Sequence, residues 1–172
     1  MRKIILFLTV AISVPSLAAS IYKRALDTKT DQYITQGVVI GGNSGAGFTL
    51  LNVRRESSSK LALERVILDI GDRDGKPLLN KLGYFHVSVE QNPSRVVIDL
   101  SQVNRSAVSE AGISRIFSKS PFVKTVEMMM EPEDNSAKLV LNTKVPVAAE
   151  IFKLPSASKA SRIVIDIKKA KL

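Results

Sequence analysis

Arginine and aspartate recur with the same spacing in several similar segments of the chain. Residues 94–100 (SRVVIDL) and 161–167 (SRIVIDI) are identical at five of seven positions, and residues 64–70 (ERVILDI) form a third copy. A weaker fourth copy covers residues 137–142. The guanidinium group of arginine binds carboxylates through two parallel hydrogen bonds. The pattern therefore indicates either an anion-binding surface or a set of ion pairs within a β-sheet.

Five arginines are candidates for contact with a ligand. Three of them, Arg65, Arg95 and Arg162, belong to the repeated heptads. The other two, Arg54 and Arg55, are adjacent and form one of the densest basic segments together with Lys60. In the functional interpretation, these groups bind the carboxylates of an acidic polymer. In the structural interpretation, they pair with acidic neighbours across a sheet, each pair contributing about 0–1 kcal/mol at the surface. Both interpretations remain open at this point.

Few side chains of this sequence are suited to catalysis or metal binding. The chain has no Cys, no Trp and one His, His86, which excludes disulfides, thiolate sites and His-rich zinc sites. Residues 42–47 (GNSGAG) have two glycines at phosphate-loop spacing but lack the lysine of that motif. We therefore expect no catalytic residues, no metal and no cofactor, and a protein that is not an enzyme.

Short apolar segments alternate with turn-forming residues through residues 45–172, which is typical of an antiparallel β-protein. In a strand, Val96, Ile98 and Leu100 would share an apolar face, with Arg95 and Asp99 on the other. The pattern predicts an all-β fold of two related four-stranded sheets packed as a sandwich. The strands of the two units are expected near residues 47–55, 61–70, 82–90 and 95–100, and near 122–130, 137–143, 145–153 and 161–168.

Residues 104–119 connect the two units and carry apolar residues near helical spacing, interrupted by Gly112. They predict a short helical or irregular crossover between the repeat units. Ser106 is the expected N-cap of such a helix, because a serine hydroxyl accepts from the free N–H groups of the first turn.

The first residues have the pattern of a secretory signal peptide. Arg2 and Lys3 precede an apolar run of 11 residues and the small residues 15–19, which predicts a cleaved signal over residues 1–18. The run is shorter than the roughly 20 residues that span a bilayer, so no integral membrane segment is expected after cleavage. We assign residues 19–44 to an N-terminal extension and residues 45–172 to the β-domain. The predicted location is the periplasm.

The chain is basic, with 25 Lys and Arg against 16 Asp and Glu, a formal charge of +9. Loss of Arg2 and Lys3 with the signal peptide lowers it to +7. The basic residues are spread through the chain, and aromatic residues are few. This distribution does not favour nucleic-acid binding. It does suit multivalent contact with an acidic polymer.

Residues 92–100 (NPSRVVIDL), repeated in degenerate form at 161–167, resemble the signature of the AMIN domain family. The resemblance covers roughly residues 45–172. It implies two packed four-stranded sheets and a role in localising a host protein by binding peptidoglycan. Family members usually continue into an amidase or secretin domain, whereas this chain ends at Leu172. The resemblance therefore implies a targeting module whose enzymatic partner is another polypeptide.

These observations predict a non-catalytic peptidoglycan-binding and localisation module. The alternative is a scaffolding or assembly factor that binds a cell-envelope protein, such as an amidase, a secretin or a divisome component. Three consecutive methionines, Met128 to Met130, favour this alternative if they form an adaptable apolar contact. Ordinary packing within a strand is the other interpretation of these methionines.

Overall fold

The computed structural model describes residues 22–171, which form eleven strands and one helix. The signal peptide predicted over residues 1–18 lies outside the described residues. In chain order the elements are β1 (Tyr22–Arg24), β2 (Gly37–Gly41), β3 (Phe48–Ser58), β4 (Leu63–Asp72), β5 (Phe85–Gln91), β6 (Ser94–Ser101), β7 (Val103–Ser106), α1 (Glu110–Phe117), β8 (Val123–Glu131), β9 (Ser136–Thr143), β10 (Val147–Leu154) and β11 (Ser161–Lys169).

Two sheets pack face to face, which confirms the all-β sandwich. One sheet has six strands in the order β1-β2-β5-β6-β9-β8, and the other has five in the order β10-β11-β4-β3-β7. All eight strands expected for the two units are present, but the sheets have six and five strands instead of four. The additional strands β1, β2 and β7 are short. Strand β2 pairs with β5 and β1 pairs with β2 at one edge of the first sheet, and β7 pairs with β3 at one edge of the second.

The strand order shows the internal duplication. The first unit contains β3 to β6 and the second contains β8 to β11, and each unit contributes one hairpin to each sheet. Replacing every strand of one unit by its counterpart converts the order β5-β6-β9-β8 into β10-β11-β4-β3. The two sheets are therefore related by exchange of the units. The two closest heptads form β6 and β11, which lie in different sheets with a neighbour on each side.

The core forms where the apolar faces of the two sheets meet. Val96, Ile98 and Leu100 of β6 are buried, and they belong to the same cluster as the isoleucines of β11 at 163, 165 and 167. Alternation of side chains along a strand places these residues on one face. Each fully buried aliphatic side chain contributes about 1.5–3 kcal/mol to folding relative to an exposed one. The predicted apolar face of the heptads is thus the core face.

The crossover between the units contains both a strand and a helix. Val103–Ser106 forms β7, which pairs in parallel with β3, and Glu110–Phe117 forms α1. The N-cap is Ser109, whose Oγ accepts from the Gly112 N–H at 3.2 Å. Ser106 was therefore the wrong N-cap. It is still held in β7 by pairing with Leu50, and its hydroxyl bonds to the backbone of Val108.

The segment before the duplicated units joins the two sheets. Strand β2 pairs with β5 of the six-stranded sheet, and β1 pairs in parallel with β2. Between β1 and β2, the chain follows the outer edge of β10, where Ile34 and Ala149 exchange two backbone hydrogen bonds of 2.8 and 2.9 Å. The boundary predicted between residues 44 and 45 remains a prediction. Within residues 22–171, no helix has the length and apolar character needed to cross a membrane.

Candidate functional site

The outer face of the five-stranded sheet carries two mostly polar rows of side chains separated by an apolar row. One row crosses the strands as Glu150, Asp166, Arg65 and Glu56, and another as Leu154, Arg162, Asp69 and Asn52. Between the two rows, Phe152, Val164 and Ile67 form a small buried cluster. The backbone register between the strands fixes the positions of the charged groups in the two rows that flank this cluster.

Arg65 is bound to a carboxylate of the protein itself. Its Nε and terminal nitrogen lie 2.6 and 2.8 Å from the two oxygens of Asp166, which is fully buried. These hydrogen bonds raise the pKa of Arg65 above its ordinary value. Lys29 lies 3.6 Å from the same carboxylate. The arrangement is a forked ion pair that neutralises a buried aspartate.

Arg54 forms a second forked ion pair, with Asp69 on the neighbouring strand. Its Nε and a terminal nitrogen lie 3.0 and 2.9 Å from the two carboxylate oxygens. Hydrogen bonding to Asp69 is also the main reason that the pKa of Arg54 is raised. The Arg54 side chain is 41% exposed, so this pair borders solvent. Its remaining N–H groups are available to a ligand.

Arg162 lies directly across from Asp69 in the register of β11 and β4, yet Asp69 is bound by Arg54. Within residues 22–171, the buried Nε of Arg162 has no hydrogen-bond partner. Leaving a buried polar donor without an acceptor costs about 1–3 kcal/mol. Arg162 is thus a guanidinium whose hydrogen bonding the described part of the protein leaves incomplete.

Arg54, Asp69, Lys159 and Arg162 line an open depression of about 360 Å³, here called the Arg162 depression. Three basic groups and one acidic group give it an excess of two positive charges. Lys159 extends from the turn before β11, where its N–H donates to Ser156 Oγ at 3.1 Å. A depression of this charge can bind an anion, and paired guanidinium and ammonium groups suit a carboxylate.

A β-bulge shapes one apolar wall of the Arg162 depression. The register of β3 against β4 shifts between Leu50 and Asn52, which leaves Leu51 as an extra residue. The Leu51 side chain lies over Gly71, where an added Cβ would come within 2.8 Å of it. Leu51 and Ala160 both line the depression. The site therefore combines charged donors with a small aliphatic surface.

Arg95 lies on the outer face of the other sheet and is paired with a carboxylate. Its Nε lies 2.6 Å from Glu90, which is opposite Arg95 on β5. The aspartate of the same heptad, Asp99, lies 3.7 Å from His86 and 3.9 Å from Lys138. His86 is thus an outer-face strand residue. The charges around β6 are largely balanced.

Arg55 points to the opposite face of β3 from Arg54. Its Nε donates to the carbonyl oxygen of Ile116 at 3.0 Å, and a terminal nitrogen lies 3.6 Å from the buried carboxylate of Glu64. Arg55 therefore ties helix α1 to the five-stranded sheet. The structure brings together Arg54 and Arg162 of the five sequence candidates, keeps Arg65 on the same face, and separates Arg95 and Arg55 from them.

Sequence reasoning did not identify Lys159 or Asp69 as members of the site. Residues 155–158 (PSAS) belong to the turn-forming segments of the sequence, and no signal marked Lys159 beyond its position after that turn. Asp69 was recognised as a heptad aspartate, but its pairing with Arg54 depends on neighbours across the sheet. The expectations of no metal, no cofactor and no catalytic residue remain predictions.

The fold and the site define a β-sandwich of two duplicated units with a cationic depression on its outer surface. No family model matches the chain. The chain is similar to N-acetylmuramoyl-L-alanine amidase AmiC of Neisseria meningitidis serogroup B, with 26% identity over 87 residues. The alignment covers 50% of this chain and 20% of the amidase. The similarity thus relates half of this chain to one fifth of the amidase.

Proposed function

We propose that the protein is a non-catalytic peptidoglycan-binding module of the periplasm that belongs with AMIN-like domains. The observation that carries the proposal is the Arg162 depression, where a guanidinium N–H that residues 22–171 leave without a partner lies beside a second arginine and a lysine. The similarity to an amidase region and the resemblance of residues 92–100 to the AMIN signature support the same role.

The chemistry of peptidoglycan suits this surface. Its peptide stems present many carboxylates on an insoluble polymer, and the protein without its predicted signal peptide carries a charge of +7. Single carboxylate–guanidinium contacts at a surface are weak. Repeated contacts on one polymer raise the overall affinity through effective concentration. The predicted signal peptide supports placement in the periplasm, where this polymer is found.

Sedimentation with purified sacculi tests the proposal. The protein is purified from the periplasm and mixed with sacculi at low and at high salt, and the pellet and supernatant are compared. We expect the protein in the pellet at low salt and partial release at high salt, since exposed charge pairs are screened. Protein that stays wholly in the supernatant at low salt contradicts the proposal.

A second candidate function is assembly with another cell-envelope protein. Met129 and Met130 are 42% and 38% exposed on β8, which forms one edge of the six-stranded sheet. Flexible methionine side chains adapt to partner surfaces. A pull-down from periplasm that recovers one stoichiometric protein, with no sedimentation on sacculi, supports this function. Replacement of both residues by Gln would then abolish the capture.

A further inference from the structure

The duplication places two equivalent arginines in different electrostatic surroundings. Arg95 on β6 and Arg162 on β11 occupy the same position of the repeated heptad. On the neighbouring strand, Arg95 faces Glu90, whereas Arg162 faces Leu154. The carboxylate that neutralises Arg95 is thus replaced by an aliphatic side chain beside Arg162.

On the opposite side of each arginine, the neighbouring strands also carry different charges. Arg95 faces Asn142 on β9, and the amide of Asn142 donates to Glu127 on β8 at 2.6 Å. Arg162 faces Asp69 on β4, and the carboxylate of Asp69 accepts from Arg54 on β3. Because β3 is the counterpart of β8, an arginine occupies the place that a glutamate has in the other sheet.

The two equivalent surfaces therefore differ in net charge. Around Arg95, the acidic groups Glu90 and Glu127 are balanced by Arg95 and by Lys124, the residue of β8 at the register shift that corresponds to that of Leu51 in β3. The surface around Arg162 has two basic groups and one acidic group, and Lys159 adds a further positive charge. Structural pairing alone accounts for the balanced surface around Arg95. It does not account for the excess positive charge around Arg162, because Asp69 is, among residues 22–171, the one carboxylate that lines the depression with Arg54, Arg162 and Lys159.

We propose that the Arg162 depression is a discrete binding site for the free carboxylate of a short peptide, present in the five-stranded sheet alone. This inference rests on the proposed function and names the part of the polymer that is bound. Arg162 and Lys159 bind the carboxylate oxygens, and the bound anion completes the hydrogen bonding of the Arg162 guanidinium. Leu51 and Ala160 contact a small aliphatic side chain next to the carboxylate.

A pair of dipeptides that differ in one group tests the site. Acetyl-D-alanyl-D-alanine has a free carboxylate and small side chains, and its C-terminal amide has the same shape without the charge. Each is titrated into ¹⁵N-labelled protein while the Arg162 Nε–H and the Ala160 amide signals are followed by NMR. We expect the free acid to shift both signals and the amide to bind about tenfold more weakly, because hydrogen bonds to charged groups are the stronger ones. Inorganic phosphate is the third probe.

The duplication supplies a matched control for the variants. Arg162→Gln removes the central guanidinium and is expected to abolish the response of the Ala160 amide to the free acid. Arg95→Gln makes the same change at the equivalent position and is expected to leave binding unchanged. Lys159→Gln alters an exposed turn residue, preserves the fold and weakens binding. The remaining amide signals report whether each variant is folded.

Three results would overturn the inference: equal binding of acid and amide, tighter binding of phosphate than of the free acid, or equal losses in Arg162→Gln and Arg95→Gln. Sedimentation on sacculi separates this inference from the proposed function. Protein that pellets with sacculi but ignores the dipeptide acid retains the function and rejects the carboxylate site. Protein that binds the dipeptide acid at Arg162 but does not pellet retains the site and rejects the function.

Discussion

The hydroxyl of Ser120 lies 2.8 Å from both carboxylate oxygens of Glu64, a residue that is fully buried in the five-stranded sheet. Ser120 Oγ also accepts from the N–H groups of Phe122 and Val123, at 3.1 and 2.7 Å. A single hydroxyl therefore connects the end of the crossover to a charge in the core. Arg55, 3.6 Å from Glu64, provides the opposite charge.

Replacement of Ser120 by Ala should lower the free energy of unfolding by about 3 kcal/mol, since a buried carboxylate and two backbone donors lose their partner. Urea denaturation measures the change. Ser118→Ala is the control, because Ser118 is exposed and, among the described residues, its Oγ bonds to the Arg115 carbonyl alone, at 2.8 Å. Equal stability losses in the two variants would contradict the role assigned to Ser120.

The stability of the protein should depend on pH through Glu64. Burial is the main cause that raises the pKa of Glu64, and hydrogen bonds from Ser120 oppose it. The folded protein therefore binds this proton more tightly than the unfolded chain. The stability contributed by Glu64 is present below the ordinary glutamate pKa of about 4.3 and is lost as the pH rises through the raised value.

Glu64→Gln removes this proton and its pH dependence. The quantity to compare is the free energy of unfolding of the wild type minus that of the variant. This difference should fall as the pH is raised from about 4, which is close to the ordinary glutamate pKa. Urea denaturation at a series of pH values measures the difference. A difference that stays constant or rises with pH would show that burial does not control this carboxyl group.

Removal of one member of the Arg65–Asp166 pair should lower the free energy of unfolding strongly. Arg65→Met leaves Asp166 buried with its forked partner removed, and we expect a loss of about 3–5 kcal/mol. The double variant Arg65→Met/Asp166→Leu should be more stable than Arg65→Met alone, because the unpaired charge is gone. A double-mutant cycle in urea gives the coupling. Additive effects would show that the two groups act independently.

Two substitutions within the Arg162 depression should change sacculus binding in opposite directions. Arg54→Gln frees Asp69 to pair with Arg162, so binding should weaken by about twofold to fivefold. Asp69→Asn removes the negative charge and frees Arg54, so binding should strengthen. Sedimentation over a range of sacculus concentrations measures both, with thermal unfolding as the check on folding. Changes of the same sign in both variants would contradict the electrostatic account.

The fold was predictable where apolar residues alternate with a period of two. Strands β4, β6 and β11 and their core faces follow from residues such as Val66, Ile98 and Ile165, because each must be buried to be stable. The short strand β7 was not predictable, since its four residues have no such pattern. It forms because β3 offers it a parallel edge.

The candidate site was only partly predictable, because ion pairing depends on the register between strands. The sequence marks Arg54 and Arg162 as basic and Asp69 as acidic, but these residues come from three different strands. Which arginine takes the carboxylate is decided by the position of each side chain across the sheet. The incomplete hydrogen bonding of Arg162 follows from that choice.

The segment along β10 also constrains when the molecule can finish folding. Thr30 donates its N–H to Glu150 at 2.6 Å, across 120 residues of sequence. Contacts this distant along the chain form slowly, because a large loop must close first. Residues 26–34 cannot pair along β10 until the hairpin of β10 and β11 exists. The final hairpin must therefore be synthesised before the segment that links the two sheets can take its place, so the sandwich closes late.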